Sequence, residues 1–147
     1  MKKTIFFISF LVLTFVFSNL SAQSVLGKWK TMDDETKKPK SIVLIYKKDG
    51  KLYGKIEKLF KEPGEDQDPI CEVCPGSRKN KKVIGMDVIT GLTASGKEWK
   101  GDNGILDPKT GKLYDCKLWL DEKDSDKLQV RGYIAFFYRT QVWQRVK

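Results

Sequence analysis

The sequence predicts a small all-β domain, an antiparallel barrel of about eight strands with one long cysteine-containing loop. Three observations predict it. Apolar and polar residues alternate with period two in several runs of strand length. Turn signals built on Gly, Asp, Asn and Pro recur at short intervals between those runs. Residues 23–147, about 125 in all, match one domain with a single modest core.

The first residues read as a leader rather than as part of that domain. Lys2 and Lys3 form a basic start, Ile5 to Phe17 is almost wholly apolar, and Ser18, Asn19, Ser21 and Ala22 end it with polar and small residues. This order predicts a signal peptide over residues 1–22 with cleavage after Ala22, and a periplasmic or secreted protein. The apolar run is shorter than the roughly 20 residues a spanning helix needs, and no second run approaches that length, so the chain is not expected to span a membrane. No cysteine lies near the cleavage point, which argues against a lipid-modified terminus.

Leu26 to Met32 is the expected first strand. Ile42 to Tyr46 is apolar on both faces, so its register cannot be read, and Asp49-Gly50 then marks a tight hairpin. In the next run Leu52, Gly54, Ile56 and Phe60 fall on one face, with Tyr53, Lys55 and Glu57 on the other. Lys61 to Lys82 is polar, holds Pro63, Pro69 and Pro75, and is long for a structureless loop, which suggests a lid or a stapled segment. Val83 to Leu92 mixes helical spacing (Ile84, Val88, Leu92) with β-branched residues and stays open between helix and strand.

After the break at Ser95-Gly96, short strands are expected around Trp99 and over Gly104 to Asp107, separated by Asp102-Asn103-Gly104. Asp107-Pro108-Lys109-Thr110-Gly111 is a strong hairpin signal. Leu113 to Leu120 has the clearest alternation, with Tyr114, Cys116, Leu118 and Leu120 on one face. After the polar turn Glu122 to Asp126, Leu128, Val130, Gly132 and Ile134 share a face opposite Lys127, Gln129, Arg131 and Tyr133. Thr140 to Val146 completes the set. Closing such strands into a barrel removes exposed edges; a two-sheet sandwich is the alternative architecture.

The composition removes much chemistry. There is no histidine, which excludes Ser-His-Asp and Cys-His catalysis, HExxH zinc sites and CxxCH haem attachment. No phosphate-binding glycine loop is present, and no cofactor or metal is implied. Glu98 and Asp107 could serve as a carboxylate pair, but a surface charge and a turn residue are the simpler roles, and no catalytic residue is assigned. Losing Lys2 and Lys3 lowers the net charge of +9 by two, to about +7. Denser basic spots lie at Lys37, Lys38 and Lys40 and at Arg78, Lys79, Lys81 and Lys82. A solvated surface accounts for them, or attraction to an anionic envelope component such as acidic lipid or polysaccharide. Nucleic acid is not an expected partner.

Cys71, Cys74 and Cys116 are the sharpest chemical feature. In an oxidising compartment, Cys71-Glu72-Val73-Cys74 could close on itself, or either member could bond Cys116. A redox-active CxxC, a cysteine-rich metal site and a buried Cys116 thiol are the other readings, the first weakened by the proline-rich loop and the second by the lack of histidine.

A set of motifs spread over nearly the whole mature chain completes the reading. They are Gly27-Lys28-Trp29, Gly50-Lys51-Leu52-Tyr53-Gly54-Lys55-Ile56, Cys71-x-x-Cys74-x-Gly76 and Ile84-Gly85-Met86. Trp99, Gly104-Ile105-Leu106-Asp107-Pro108, Gly111-Lys112-Leu113-Tyr114 and Cys116-Lys117-Leu118 follow. Leu128, Val130-Arg131-Gly132-Tyr133 and Arg139-Thr140-Gln141-x-Trp143-x-Arg145 end the series. This order resembles the exported bacterial family called domain of unknown function 2147. Phe136-Phe137-Tyr138 departs from it where a small residue, usually Gly, is expected.

The resemblance implies a lipocalin-like β-barrel and supplies no activity. Gly27-x-Trp29 is similar to the first-strand signature of lipocalins, which implies that Trp29 plugs one barrel end with Arg139 or Arg145 stacked across it. An eight-stranded barrel either fills its interior with side chains or leaves room for one small ligand. The leading functional expectation is therefore an envelope protein that binds a small apolar or amphipathic molecule, with Tyr114, Trp99, Arg131 and Tyr133 as candidate contacts. The alternative is a non-catalytic binding or assembly module for an anionic envelope component.

Overall fold

Ten strands follow one another along residues 24–147, the part of the chain that the computed structural model describes. The signal-peptide reading over residues 1–22 lies outside these residues. The strands are β1 (Gly27–Met32), β2 (Pro39–Lys48), β3 (Lys51–Leu59), β4 (Ile70–Cys71), β5 (Lys81–Lys82), β6 (Asp87–Ser95), β7 (Glu98–Asp107), β8 (Lys112–Leu120), β9 (Lys127–Ile134) and β10 (Phe137–Arg145). Eight of them close into an antiparallel barrel in the order β1-β10-β9-β8-β7-β6-β3-β2, and β4 pairs with β5 in a separate ribbon. The sheet is thus a closed barrel and not a sandwich. No helix among the described residues is long and apolar enough to cross a membrane.

The turn chemistry acts largely where it was read. Asp49 and Gly50 both take positive φ (51° and 74°), the conformation a two-residue hairpin needs. The Asp107 carboxylate accepts the Lys109 N–H (3.0 Å) and the Thr110 hydroxyl (3.1 Å), which folds the β7–β8 turn. Asp102-Asn103-Gly104, by contrast, does not end a strand. The two short strands expected there are one strand, β7, with a register shift between Gly101 and Ile105. Asn103 adopts a φ of 48° and its N–H donates to Asp115 Oδ1 at 2.8 Å, so these turn-forming residues make a bulge.

Two other segments resolve in the same terms. Residues 83–86 run beside β3, with Gly85 N–H donating to the Ile56 carbonyl (2.7 Å) and Ile56 N–H to that of Met86 (3.0 Å). Strand β6 then starts at Asp87, so the β-branched Val88, Ile89 and Thr90 prevail over the helical spacing. In β3 a register shift opposite Ile42 and Val43 flips the alternation near its end. Leu59 therefore packs against the core, while Phe60, expected inward, is exposed.

Strand β2 explains its own ambiguity. Ser41, Val43 and Ile45 are buried, and Ile42 and Leu44 face outward half-buried. Ile42 lies between Lys30 and Lys58, and Leu44 between Lys28 and Lys55, so lysine stems flank the outer apolar residues on both sides. Inside, Thr31 and Ser41 satisfy each other through a 2.7 Å hydroxyl pair.

The interior is filled by side chains. Trp29, Ile45, Leu52, Ile89, Leu92, Leu118 and Leu128 are essentially fully buried. Glycines make that density possible. A Cβ on Gly54 would meet Ile89 at 3.0 Å, one on Gly101 would meet Leu92 Cδ2 at 2.6 Å, and one on Gly104 would meet it at 2.5 Å. Bare backbone at these positions lets the larger chains lie flat against the wall.

Replacing Gly104 by Ala is expected to cost about 1–3 kcal/mol through overpacking against Leu92 and Cys116, read as a lower urea midpoint with unchanged slope. An unchanged midpoint would show that the interior is looser than this packing implies.

Candidate functional site

The two ends of the barrel are built differently. At one end β1 begins, β10 finishes, and Ser24 to Leu26 fold back beneath them. The Trp29 indole donates to the Val25 carbonyl at 2.8 Å, and the Arg145 guanidinium lies over the indole ring at 4.2 Å. Arg145 also donates to the carbonyls of Leu26 (3.2 Å), Ser24 (2.9 Å) and Ser125 (3.1 Å), and its Nε lies 3.4 Å from Asp126. Arg139 sits elsewhere, near the start of β10, where it pairs with Asp34 at 2.5 Å. Gln141 donates to the same carboxylate at 2.6 Å and accepts from the Trp143 indole at 3.0 Å.

The other end carries the long loop. Its cysteines are joined as Cys71–Cys74, and Cys116 is a separate buried thiol on the barrel wall. Neither loop cysteine is bonded to Cys116. Cys71, Cys74, Val83 and Met86 belong to the same buried cluster as the barrel core, with Cys74 Sγ 3.9 Å from Met86 Sδ and Cys71 Sγ 3.2 Å from the Pro108 carbonyl. Val73 comes so close to the β7–β8 turn that a Cβ on Gly111, whose φ is 71°, would overlap its carbonyl. The loop is stapled to itself and seated by packing.

The four proposed ligand contacts do not converge on one place. Tyr114 and Tyr133 line one surface groove of about 360 Å³ with Asn103, Lys112, Leu113 and Ile134. Arg131 stands beside it, stacked on Tyr138 (4.1 Å) and Trp119 (5.2 Å). Trp99 pairs with Leu118, four residues along β8 from Tyr114, or about 13 Å away at the usual strand rise. There it carries Lys47 over its ring at 5.3 Å.

Glu98 and Asp107 sit at the two ends of β7, roughly 25–30 Å apart, and cannot act together. Glu98 is held below the usual carboxylate range by hydrogen bonds from Lys117 and Lys100. Among the described residues no three His, Cys, Asp or Glu side chains group as metal ligands.

A larger groove of about 670 Å³ opens beside the stapled loop, lined by Ser77, Arg78, Lys81, Lys82, Met86 and Thr90 among others. The short 3-10 turn Gly76–Arg78 and strand β5 place its cations. Arg78 is held there by donating to the Asp87 carbonyl at 3.3 Å. Lys82 is bridged to Asp68, whereas no carboxylate among the described residues pairs with Arg78 or Lys81. Next to the groove, burial and a 2.8 Å hydrogen bond to Asp87 push the Tyr46 hydroxyl up to about 12. The basic cluster was legible in sequence; Ser77, Met86 and Thr90 were not, because only the folded loop brings them beside it.

Comparison with known proteins places these features in a group. A family model described as "Uncharacterized protein conserved in bacteria (DUF2147)" matches residues 27–145. Among solved structures the chain is similar to protein HP1028 from the human pathogen Helicobacter pylori, which is described as belonging to the lipocalin family. That similarity has a TM-score of 0.67 and 17% identity and covers 84% of each chain. No curated protein matches the chain.

Two outcomes follow from this geometry. Arg145→Met should destabilise the fold by about 2–3 kcal/mol, because three carbonyls lose a charged donor, and Arg145→Lys should restore little of it; denaturant midpoints give both values. Burial, helped by the Asp115 charge, pushes the Cys116 thiol from 9.0 up to about 12. The native state therefore keeps a proton that the unfolded chain releases between those values, and stability falls as pH rises through that window. Tyr46 adds a decline of the same sign. Unfolding titrations at pH 8 and 10 should show the loss, smaller in Cys116→Ala, and a thiol reagent should label Cys116 only after denaturation.

Proposed function

We propose that this chain, which belongs to the DUF2147 family, is an exported, non-catalytic binding protein for a small amphipathic molecule with an acidic head. The observation that carries the reading is the groove beside the stapled loop, which Arg78 and Lys81 line together with Met86 and Thr90. Its volume of about 670 Å³ falls in the range of small-molecule sites. A lipocalin-like barrel is a fold that suits small-ligand binding, but here the interior is occupied by Trp29, Leu52, Leu92 and Leu118, so the ligand is assigned to the groove and not to the barrel centre. Arg78, Lys81 and Lys82 outnumber the one carboxylate in the lining, Asp87, and Ile84 and Met86 lie beside them, which favours a headgroup with negative charge and an apolar tail. Export follows from reading residues 1–22 as a signal peptide, and it supplies the oxidising setting in which Cys71–Cys74 persists.

An extended anionic polymer fits less well. Several of the lysines that would meet it are paired with local carboxylates, as in Lys28–Glu57 (2.7 Å), Lys38–Glu62 (3.3 Å), Lys100–Glu98 (3.1 Å) and Lys127–Asp124 (3.2 Å). Such pairs lower the positive field the polymer would need.

Titration calorimetry with dodecyl phosphate, against dodecyl maltoside as the uncharged control, tests the reading. Dodecyl phosphate should bind, lose roughly tenfold in affinity in Arg78→Gln/Lys81→Gln, and weaken as salt is raised because the site is open to solvent. Equal binding of both detergents, or no effect of the double substitution, would refute it.

A further inference from the structure

The β9–β10 hairpin has a tip unlike the other turns of the chain. Those at Asp49-Gly50, Gly96-Lys97 and Lys109-Thr110 are polar, whereas this one reads Ile134-Ala135-Phe136-Phe137-Tyr138. Ala135 takes a φ of 50°, a conformation that favours Gly. Phe136 is 98% exposed, Phe137 78%, Tyr138 61% and Ile134 59%. Single exposed apolar residues are ordinary, but four large ones within five residues of one turn are not.

The residues behind the tip are layered. Ile134 pairs with Phe137, then Tyr133 with Tyr138, then Gly132 with Arg139, then Arg131 with Thr140. The sequence of layers from the tip is therefore phenylalanine, tyrosine, arginine. At about 3.3 Å per residue Arg139 lies roughly 10 Å and Arg131 roughly 13 Å behind Phe136. That spacing matches a bilayer surface, where apolar groups enter 5–10 Å, tyrosine favours the headgroup level, and cations meet lipid phosphates. Lys112 lines the groove beside Ile134 and Ala135 and adds a further positive charge.

We propose that this tip is a membrane-interface anchor, inserting Phe136 and Phe137 at the surface of an anionic bilayer with Arg131 and Lys112 at the phosphate level, while Arg139 stays paired with Asp34. A second copy of the chain is a poorer occupant. Two aromatic side chains bury about 150–250 Å² each, or roughly half of what one partner gives to a stable protein interface. Nor can the hairpin add a strand, since every barrel strand already has two neighbours. Lipid needs no complementary surface. The anchor is separate from the groove of Arg78 and Lys81, which Phe136 does not line.

Cosedimentation with vesicles tests the proposal on a chain beginning at Gln23, since the barrel is complete within residues 24–147 and the apolar run at 5–17 would bind lipid by itself. Vesicles of phosphatidylethanolamine and phosphatidylglycerol (3:1) should retain the protein, and phosphatidylcholine vesicles should retain much less. Phe136→Ser/Phe137→Ser should lower the partition coefficient at least tenfold with its melting temperature unchanged, because both rings are already in water. Lys112→Gln should lower it about threefold. Absence of binding to anionic vesicles, or equal binding by the double variant, overturns the proposal. So does a concentration-dependent dimer in sedimentation velocity that the double variant abolishes, which would assign the tip to a second copy.

Discussion

The closing seam between β1 and β10 is the contact on which the rest of the barrel depends. Strand β1 pairs with β2 along its whole length, but with β10 only through Trp29–Arg145 and Lys30–Gln144. A two-pair seam is a weak place to close a sheet, and an open seam would leave two edges and a wet core. Arg145 reinforces it from the side. Its guanidinium lies over the fully buried Trp29 and donates to Leu26 and Ser24 on one side of the seam and to Ser125 on the other. Val146 N–H adds a backbone bond to the Lys28 carbonyl at 2.9 Å. One planar cation with several fixed donors does what a lysine could not.

The closed barrel has its centre occupied by side chains, and its two grooves lie outside it. Eight strands set an interior narrow enough for side chains to fill, and Gly54, Gly101 and Gly104 bring Ile89 and Leu92 hard against the wall. The wall then acts as a rigid mount. It positions the stapled loop through Cys71, Cys74, Val83 and Met86, and so presents Arg78 and Lys81 on a fixed support. It also holds the β9–β10 hairpin in register down to the turn, so that Phe136 projects without cover.

Much of the barrel was legible because period-two alternation reports which face is wet. Cys116, Leu118, Leu128 and Val130 are buried as the pattern required, and the hairpins at Asp49-Gly50 and Asp107 to Gly111 close where their residues demanded. The misreadings share one cause. Bulges insert residues that local chemistry cannot distinguish from a turn, so Asp102 to Gly104 read as a break and Phe60 read as inward. The grooves were less legible than the strands. Arg78, Lys81, Tyr114 and Tyr133 could be singled out by type, but only the fold decides that Tyr114 and Tyr133 share a groove while Trp99 lies further along the wall.

The two ends of the barrel follow from a division of labour that the chain order imposes. The chain enters and leaves at one end, where Ser24 to Leu26 and Arg145 must be fixed to keep the seam shut, and polar satisfaction there serves stability. The opposite end holds only connections between strands, whose length and composition are free of that duty. There the chain can tolerate a long loop, held by the Cys71–Cys74 bond and by the close approach of Val73 to Gly111, and a hairpin tip with bare aromatic rings. Ala135 at a positive φ costs conformational ease, and the exposed phenylalanines that follow it cost solubility and contribute nothing to the core. The exposed rings stand at the end that is free to vary and are absent from the turns at Asp49-Gly50 and Gly96-Lys97, where the seam has to be kept shut.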